Sequence, residues 1–199
     1  MKPIIGIISR KDISKKGHNI SYIYDDIISS VIKSKGIPIG ITNSNIDMYL
    51  NKCNGFILQG GDDIEEEDLN IIKLLYEKDI PLLGICLGMQ EMAYLFNGKL
   101  YNINNHNNNL HEINIKKDTL LNKILNCNKT IVNSRHKEAI KNTSLLVNAI
   151  SEDGIIEGVE DISKRFFLGV EWHPENMTNI DLNSKKIFDY FINICSDNK

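Results

Sequence analysis

Four short segments of this 199-residue chain carry side chains whose types and spacing could perform nucleophilic chemistry. The first is Pro81-Leu-Leu-Gly-Ile-Cys-Leu-Gly-Met-Gln90, an apolar run that ends at Cys86 with Gly84 and Gly88 two residues to either side. A cysteine at a strand-to-helix turn between glycines has the form of a nucleophile elbow with sulfur in place of oxygen. The turn crowds the backbone, so a Cβ at either flank would clash. A helix starting just after it favours thiolate over thiol. The same run also suits a small buried cysteine closing a parallel strand.

The second segment, Gln59-Gly60-Gly61-Asp62, follows another buried run. In open parallel sheets ligands sit beyond the carboxyl ends of strands, which would bring this loop near Cys86. The N–H of Gly61, with that of Leu87, could form an oxyanion hole; an ordinary Gly-Gly turn reads the same way. The third is Glu171-Trp-His-Pro-Glu175. His173 and Glu175 are two apart, so in extended chain they project to one side, the carboxylate orienting the imidazole. Glu171 competes for that role, but its position on a strand suggests surface pairing instead. The fourth is Val132-Asn-Ser-Arg-His-Lys-Glu138, a polar cluster after a strand. Ser134 and His136 could donate hydrogen bonds to an amino-acid head group and Arg135 could pair its carboxylate, or the cluster is a solvated loop.

Positioning these groups requires alternating elements. Strands are expected at Ile4 to Ile8, Ile37 to Ile41, Gly55 to Leu58 and Leu82 to Ile85. Helical patterns lie between or after them, over Tyr22 to Lys33, Leu69 to Tyr76 and Met89 to Phe96. This alternation predicts an α/β fold with a parallel sheet covered on both faces. Short strands follow near Glu112 to Ile115, Thr130 to Val132, Leu145 to Ile150, Ile155 to Val159 and Phe166 to Val170, with a hairpin turn at Asp153-Gly154. An amphipathic helix from Ser184 to Ile194 closes the chain. The tract Asn102-Ile-Asn-Asn-His-Asn-Asn-Asn-Leu110 reads as a flexible surface loop, because asparagines cannot build core. No linker divides the chain, so residues 1–199 read as one domain.

Bulk properties narrow the function. A net charge of −3 leaves no basic footprint for nucleic acid. The first apolar run is too short for a membrane span or a signal sequence, so cytoplasm is the default location and no membrane partner is expected. The four cysteines, Cys53, Cys86, Cys127 and Cys195, have no CxxC spacing, and no His/Cys ladder suggests zinc. They read as reduced thiols.

Together, Gly84-Ile-Cys-Leu-Gly-Met-Gln90, Gln59-Gly-Gly-Asp62, Val132-Asn-Ser-Arg-His136 and Gly169-Val-Glu-Trp-His-Pro-Glu175 resemble the class I glutamine amidotransferases. Within them the chain is similar to the γ-glutamyl hydrolase branch, including hydrolases of γ-glutamyl-aminobutyrate. Pro3-Ile-Ile-Gly6, Tyr24, Gly36-Ile-Pro38 and Ala149-Ile-Ser-Glu-Asp-Gly-Ile-Ile-Glu157 extend the match nearly end to end. The resemblance implies a flavodoxin-like three-layer sandwich with a mostly parallel central sheet. It implies Cys86 as nucleophile, His173 as base, Glu175 as its orienter, and Gly61 and Leu87 as oxyanion donors. Gly60, Gln90, Ser134, Arg135 and His136 become candidates for binding a small γ-glutamyl substrate. The chemistry needs no metal or organic cofactor.

The resemblance leaves several functions open. One is a stand-alone γ-glutamyl hydrolase, with homodimerisation allowed. Another is a glutaminase subunit feeding ammonia to a partner synthase. A third is a non-catalytic binding module. The compact chain, with 25 Asn and 34 Ile, is also similar to the γ-glutamyl-CDP-amidate hydrolases of capsular phosphoramidate synthesis. It departs from many hydrolases of the branch at two places. Leu87 follows the cysteine where they carry Arg, and a short acidic loop, Asp62 to Asp68, replaces a longer insertion beside the leaving group.

Overall fold

Apolar runs of four or five residues are too short for helices and become strands buried on both faces, while the amphipathic segments between them cover the sheet. The computed structural model describes residues 1–104 and 106–197. The chain runs through β1 (Ile4–Ile8), β2 (Arg10–Ile13), β3 (Asn19–Tyr22), α1 (Asp25–Lys33), β4 (Ile37–Ile41), β5 (Gly55–Leu58), α2 (Glu66–Glu77), β6 (Leu82–Ile85) and α3 (Leu87–Leu95). It continues through β7 (Lys99–Asn102), β8 (Asn107–Ile115), α4 (Leu120–Leu125), β9 (Lys129–Arg135), β10 (Glu138–Lys141), β11 (Leu146–Ser151), β12 (Ile156–Glu160), β13 (Phe167–Val170) and α5 (Leu182–Ser196).

Nine strands form one sheet in the order β4-β1-β5-β6-β13-β12-β11-β8-β9. The first five are mutually parallel. The remaining four continue the sheet antiparallel. Alternation along the strands sends side chains to two cores. Ile5, Ile7, Ile57, Leu83 and Ile85 pack with α1, α4 and α5. Ile8, Phe56, Leu58 and Leu82 pack with α2 and α3 on the other face. The parallel strands thus carry the α/β sandwich expected of them. Among the described residues no helix is long and apolar enough to cross a membrane, and all four cysteines are free.

The structure corrects three local expectations. The first helix begins at Asp25, because Tyr22 pairs with Arg10 in a β2–β3 hairpin that the sequence pattern hid. The asparagine tract is no loose loop over Asn107 to Leu110: these residues open β8 and pair with β9, the asparagine side chains facing solvent while the backbone closes the ladder. Asn105 lies outside the described residues. The acidic stretch is only partly a loop, since Glu66, Glu67 and Asp68 form the first turn of α2, where negative side chains complement the helix N-terminus. The Asp153-Gly154 turn forms as expected, with Gly154 at φ +85° joining β11 to β12.

Helix α3 crosses β5 so closely that a Cβ on Gly88 would stand 2.7 Å from Leu58 Cβ. Gly88→Ala is therefore expected to destabilise the fold by about 1–3 kcal/mol, as overpacking does. Urea denaturation measures this, and an unchanged midpoint would contradict the close approach.

Candidate active site

β6 ends where α3 begins, and Cys86 is the residue between them, at φ 52° and ψ −111°. That conformation is costly for a residue with a side chain and persists only when its surroundings fix it. Here the Cys86 N–H donates to Val170 O at 2.8 Å, and Cys86 O accepts from Gln90 N at 3.0 Å. One bond belongs to the sheet and the other to the helix, so neither can relax alone. Leu87 opens α3, and its N–H has no intrahelical acceptor. It points to the Cys86 sulfur and draws the thiol pKa down. Burial, followed by the charges of Glu171 and Glu175, outweighs this and pushes the thiol well above its usual range. Burial thus opposes the thiolate that the helix N-terminus was expected to favour.

His173 follows β13 and leads into a short 3-10 turn, Pro174–Asn176. Its Nδ1 meets Glu175 Oε1 at 2.7 Å, which leaves Nε2 as the free ring nitrogen. The sequence reading passed over the residue that fixes its backbone. Asn133, on β9, accepts from His173 N–H through Oδ1 at 3.0 Å and donates from Nδ2 to His173 O at 3.0 Å. The available signal was an amide side chain on a strand next to the polar cluster.

Gly60 and Gly61 follow β5. A Cβ on Gly60 would lie 3.0 Å from His173 Cε1 and 3.6 Å from Cys86 Cβ, so the loop and both side chains converge. Arg10, buried on β2, sets the loop's orientation. Its Nε donates to Gln59 O at 3.2 Å and Gly60 O at 3.3 Å, and Nη2 donates to Gln59 O at 2.5 Å. Because the peptide is planar and trans, fixing the Gly60 carbonyl toward Arg10 turns the Gly61 N–H the other way. The same guanidinium grips Glu91 on α3 through two bonds of 3.0 Å and also pairs with Asp68. Two acids crowd one cation, so burial pushes both carboxyls up, Glu91 to about 8.

Cys86 borders two cavities. One, of about 260 Å³, is lined by Tyr24, Asp26, Gly60, His173 and Glu175 as well. The other, of about 500 Å³, is lined also by Gly61, Gln90, Arg135, His136 and Lys137. Arg135 is exposed and borders both. Gln90 reaches the wider cavity, yet its Nε2 is committed to Glu138 O at 3.0 Å and Glu171 Oε1 at 2.5 Å. His136 is buried with Nδ1 2.9 Å from Glu138 O. Ser134 does not fit the head-group role read from the sequence: its buried hydroxyl donates to His106 O at 2.6 Å. Glu171 is not in surface pairing either. It is fully buried against Gln90 and His136, and burial, with the nearby Glu157 charge, pushes its carboxyl well up.

The family described as Peptidase C26 matches residues 3–175. The chain is 28% identical to the gamma-glutamyl-gamma-aminobutyrate hydrolase PuuD of Escherichia coli strain K12, over 97% of this chain and 93% of that protein. It is 30% identical to the glutamine amidotransferase-like protein RP404 of Rickettsia prowazekii, over 91% of this chain and 94% of that protein. The fold is similar to the glutaminase domain of Trypanosoma brucei CTPS, solved with bound acivicin, at a TM-score of 0.75 and 16% identity. That likeness covers 99% of this chain and 95% of that one.

Iodoacetamide alkylation of Cys86, followed by peptide mass spectrometry across pH, is expected to rise only above the ordinary thiol range. A thiol already ionised at neutral pH would contradict the burial argument.

Proposed function

The chain belongs to the Peptidase C26 family, and we propose that it is a cysteine hydrolase that cleaves a γ-glutamyl amide and releases L-glutamate. The observation that carries this reading is the 2.7 Å His173–Glu175 pair on the cavity that Cys86 borders. The γ-glutamyl-aminobutyrate hydrolases among its relatives support the substrate class. His173 Nε2 takes the Cys86 proton as the sulfur attacks the γ-carbonyl carbon, a concerted transfer that suits a neutral resting thiol. The N–H groups of Gly61 and Leu87 receive the oxyanion. As the C–N bond breaks, His173 returns its proton to the leaving nitrogen. Water then attacks the glutamyl thioester, His173 takes a proton from it, and glutamate departs as the thiol is restored.

The glutamyl head group belongs in the wider cavity beside Gln90 and His136, while the leaving group must lie where His173 can protonate it. Arg135 borders both cavities and is the cation placed to meet an anionic group in either. This supports including γ-glutamyl-CDP-amidate among the candidate conjugates. The likeness to a glutaminase domain favours a second reading, a subunit that passes ammonia to a partner synthase. On that reading glutamine is turned over only when the partner is present.

A panel of γ-glutamyl amides assayed for glutamate release decides between them. One or more conjugates are expected to turn over without a partner, and Cys86→Ala is expected to lower that rate by at least about 10⁴-fold. Undiminished turnover in Cys86→Ala ends the proposal. Asn133→Ala leaves every proposed reacting group in place but frees the His173 backbone. It is expected to reduce kcat about 10- to 100-fold with little change in KM, since misplacement of that order follows loss of a positioning contact. Steady-state kinetics of that variant tests the clamp.

A further inference from the structure

We propose that His106, His111, His136 and Glu157 form a binding site for one divalent transition-metal ion of the zinc class. No spacing in the sequence announces the group, because the fold gathers it from separate places. His106 stands just before β8, His111 on β8, His136 just after β9 and Glu157 on β12. Three ring nitrogens face one carboxylate oxygen. Glu157 Oε1 lies 3.1 Å from His111 Nε2, 3.3 Å from His106 Nδ1 and 3.9 Å from His136 Nε2. Ligand atoms around a tetrahedral zinc stand roughly 3.4 Å apart, given bonds near 2.0–2.1 Å. The inward atoms of His106, His111 and Glu157 all fall within 4.8 Å of one another.

Protein partners alone leave this cluster unfinished. His106 Nδ1, His136 Nε2 and Glu157 Oε2 are buried without a hydrogen-bond partner. His106 and His136 are each 4% exposed and Glu157 not at all. Buried polar groups are nearly always satisfied, and orphans of this kind point to an ion or a water. The orientation of two of the three rings favours an ion, while the outer Nδ1 of His111 is buried without a hydrogen-bond partner. His106 turns its other nitrogen to Asp153 Oδ2 at 3.0 Å, and His136 turns its own to Glu138 O at 2.9 Å. Metal-ligating histidines are held in this way, the outer nitrogen on a carboxylate or carbonyl and the inner one free for the metal. Three imidazoles and one carboxylate suit zinc, cobalt or nickel and not magnesium or calcium, which take oxygen. An ion can arrive from the solvent side of His111, which is only partly buried, or from the wider cavity, which His136 lines.

The test uses untagged full-length protein stripped with a chelator. Titration with Co(II) is expected to give one equivalent per chain with the absorption of a tetrahedral site, displaced by Zn(II), and Zn(II) is expected to raise Tm. His111→Gln is expected to lose stoichiometric binding. Asp153→Asn, whose side chain is 54% exposed and whose folding is therefore little disturbed, is expected to weaken affinity about 10- to 100-fold through the outer nitrogen of His106. Less than one equivalent bound, or both variants binding as tightly as the parent, would overturn the site. None of these readouts depends on hydrolase activity.

Discussion

Arg10 reaches from the β2–β3 hairpin into the interior, and its guanidinium spans the gap between the glycine loop after β5, the first turn of α2 and Glu91 on α3. A planar fork of five donors can satisfy two carbonyls and two carboxylates at once, which an ammonium cannot do with comparable geometry. The arrangement carries the desolvation cost of a buried guanidinium and two buried carboxyls, so it is weak evidence for stability. Its value is positional. Glu91 lies on the helix that Cys86 begins, and the Gln59 and Gly60 carbonyls belong to the loop opposite. One rigid side chain thereby sets the spacing between a peptide N–H and the sulfur. Removing it would leave Asp68 and Glu91 buried without their cation, typically a loss of about 3–5 kcal/mol, and would free the Gly60–Gly61 peptide to rotate.

The same logic governs the other side of the cavity. Cys86 sits in a backbone conformation that only its sheet and helix bonds maintain, and His173 is held at both backbone atoms by Asn133. The sulfur is almost completely buried, and burial disfavours its ionisation. In the proposed reaction, charge develops where the Gly61 and Leu87 amides can meet it.

What the sequence disclosed follows from which interactions are local. Runs such as Gly55–Leu58 and Leu82–Ile85 announce buried parallel strands because both faces must be apolar. The Gly84–Cys86–Gly88 spacing announces a turn because its steric demand lies within five residues. His173 and Glu175 are two apart and meet directly. The β2–β3 hairpin was hidden because its outward residues, Lys11, Asp12, Ile13, Asn19, Ile20 and Ser21, follow no apolar alternation, and its one buried side chain, Arg10, looks like a surface residue until Glu91 and Asp68 are brought to it. The asparagines of β8 pair through backbone that any side chain permits, so composition misled there. Ser134 and Glu171 were misread for a related reason: both are polar residues whose partners, His106 and Gln90, lie 28 and 81 positions away.

The histidines extend that contrast. His106, His111 and His136 lie along or beside one antiparallel pair of strands, and Glu157 enters from the strand beyond the next. Their convergence depends on the antiparallel half of the sheet, which adds four strands to the parallel half that carries Cys86 and His173. The two halves meet where β12 pairs with β13. Glu157 O accepts from Glu171 N at 2.8 Å across that seam, and the Glu171 carboxyl touches Gln90 and His136. A buried carboxyl therefore stands between the imidazole cluster and α3, the helix that begins after Cys86. His136 also lines the wider cavity, so the antiparallel half of the fold shapes a wall of the space that Cys86 borders.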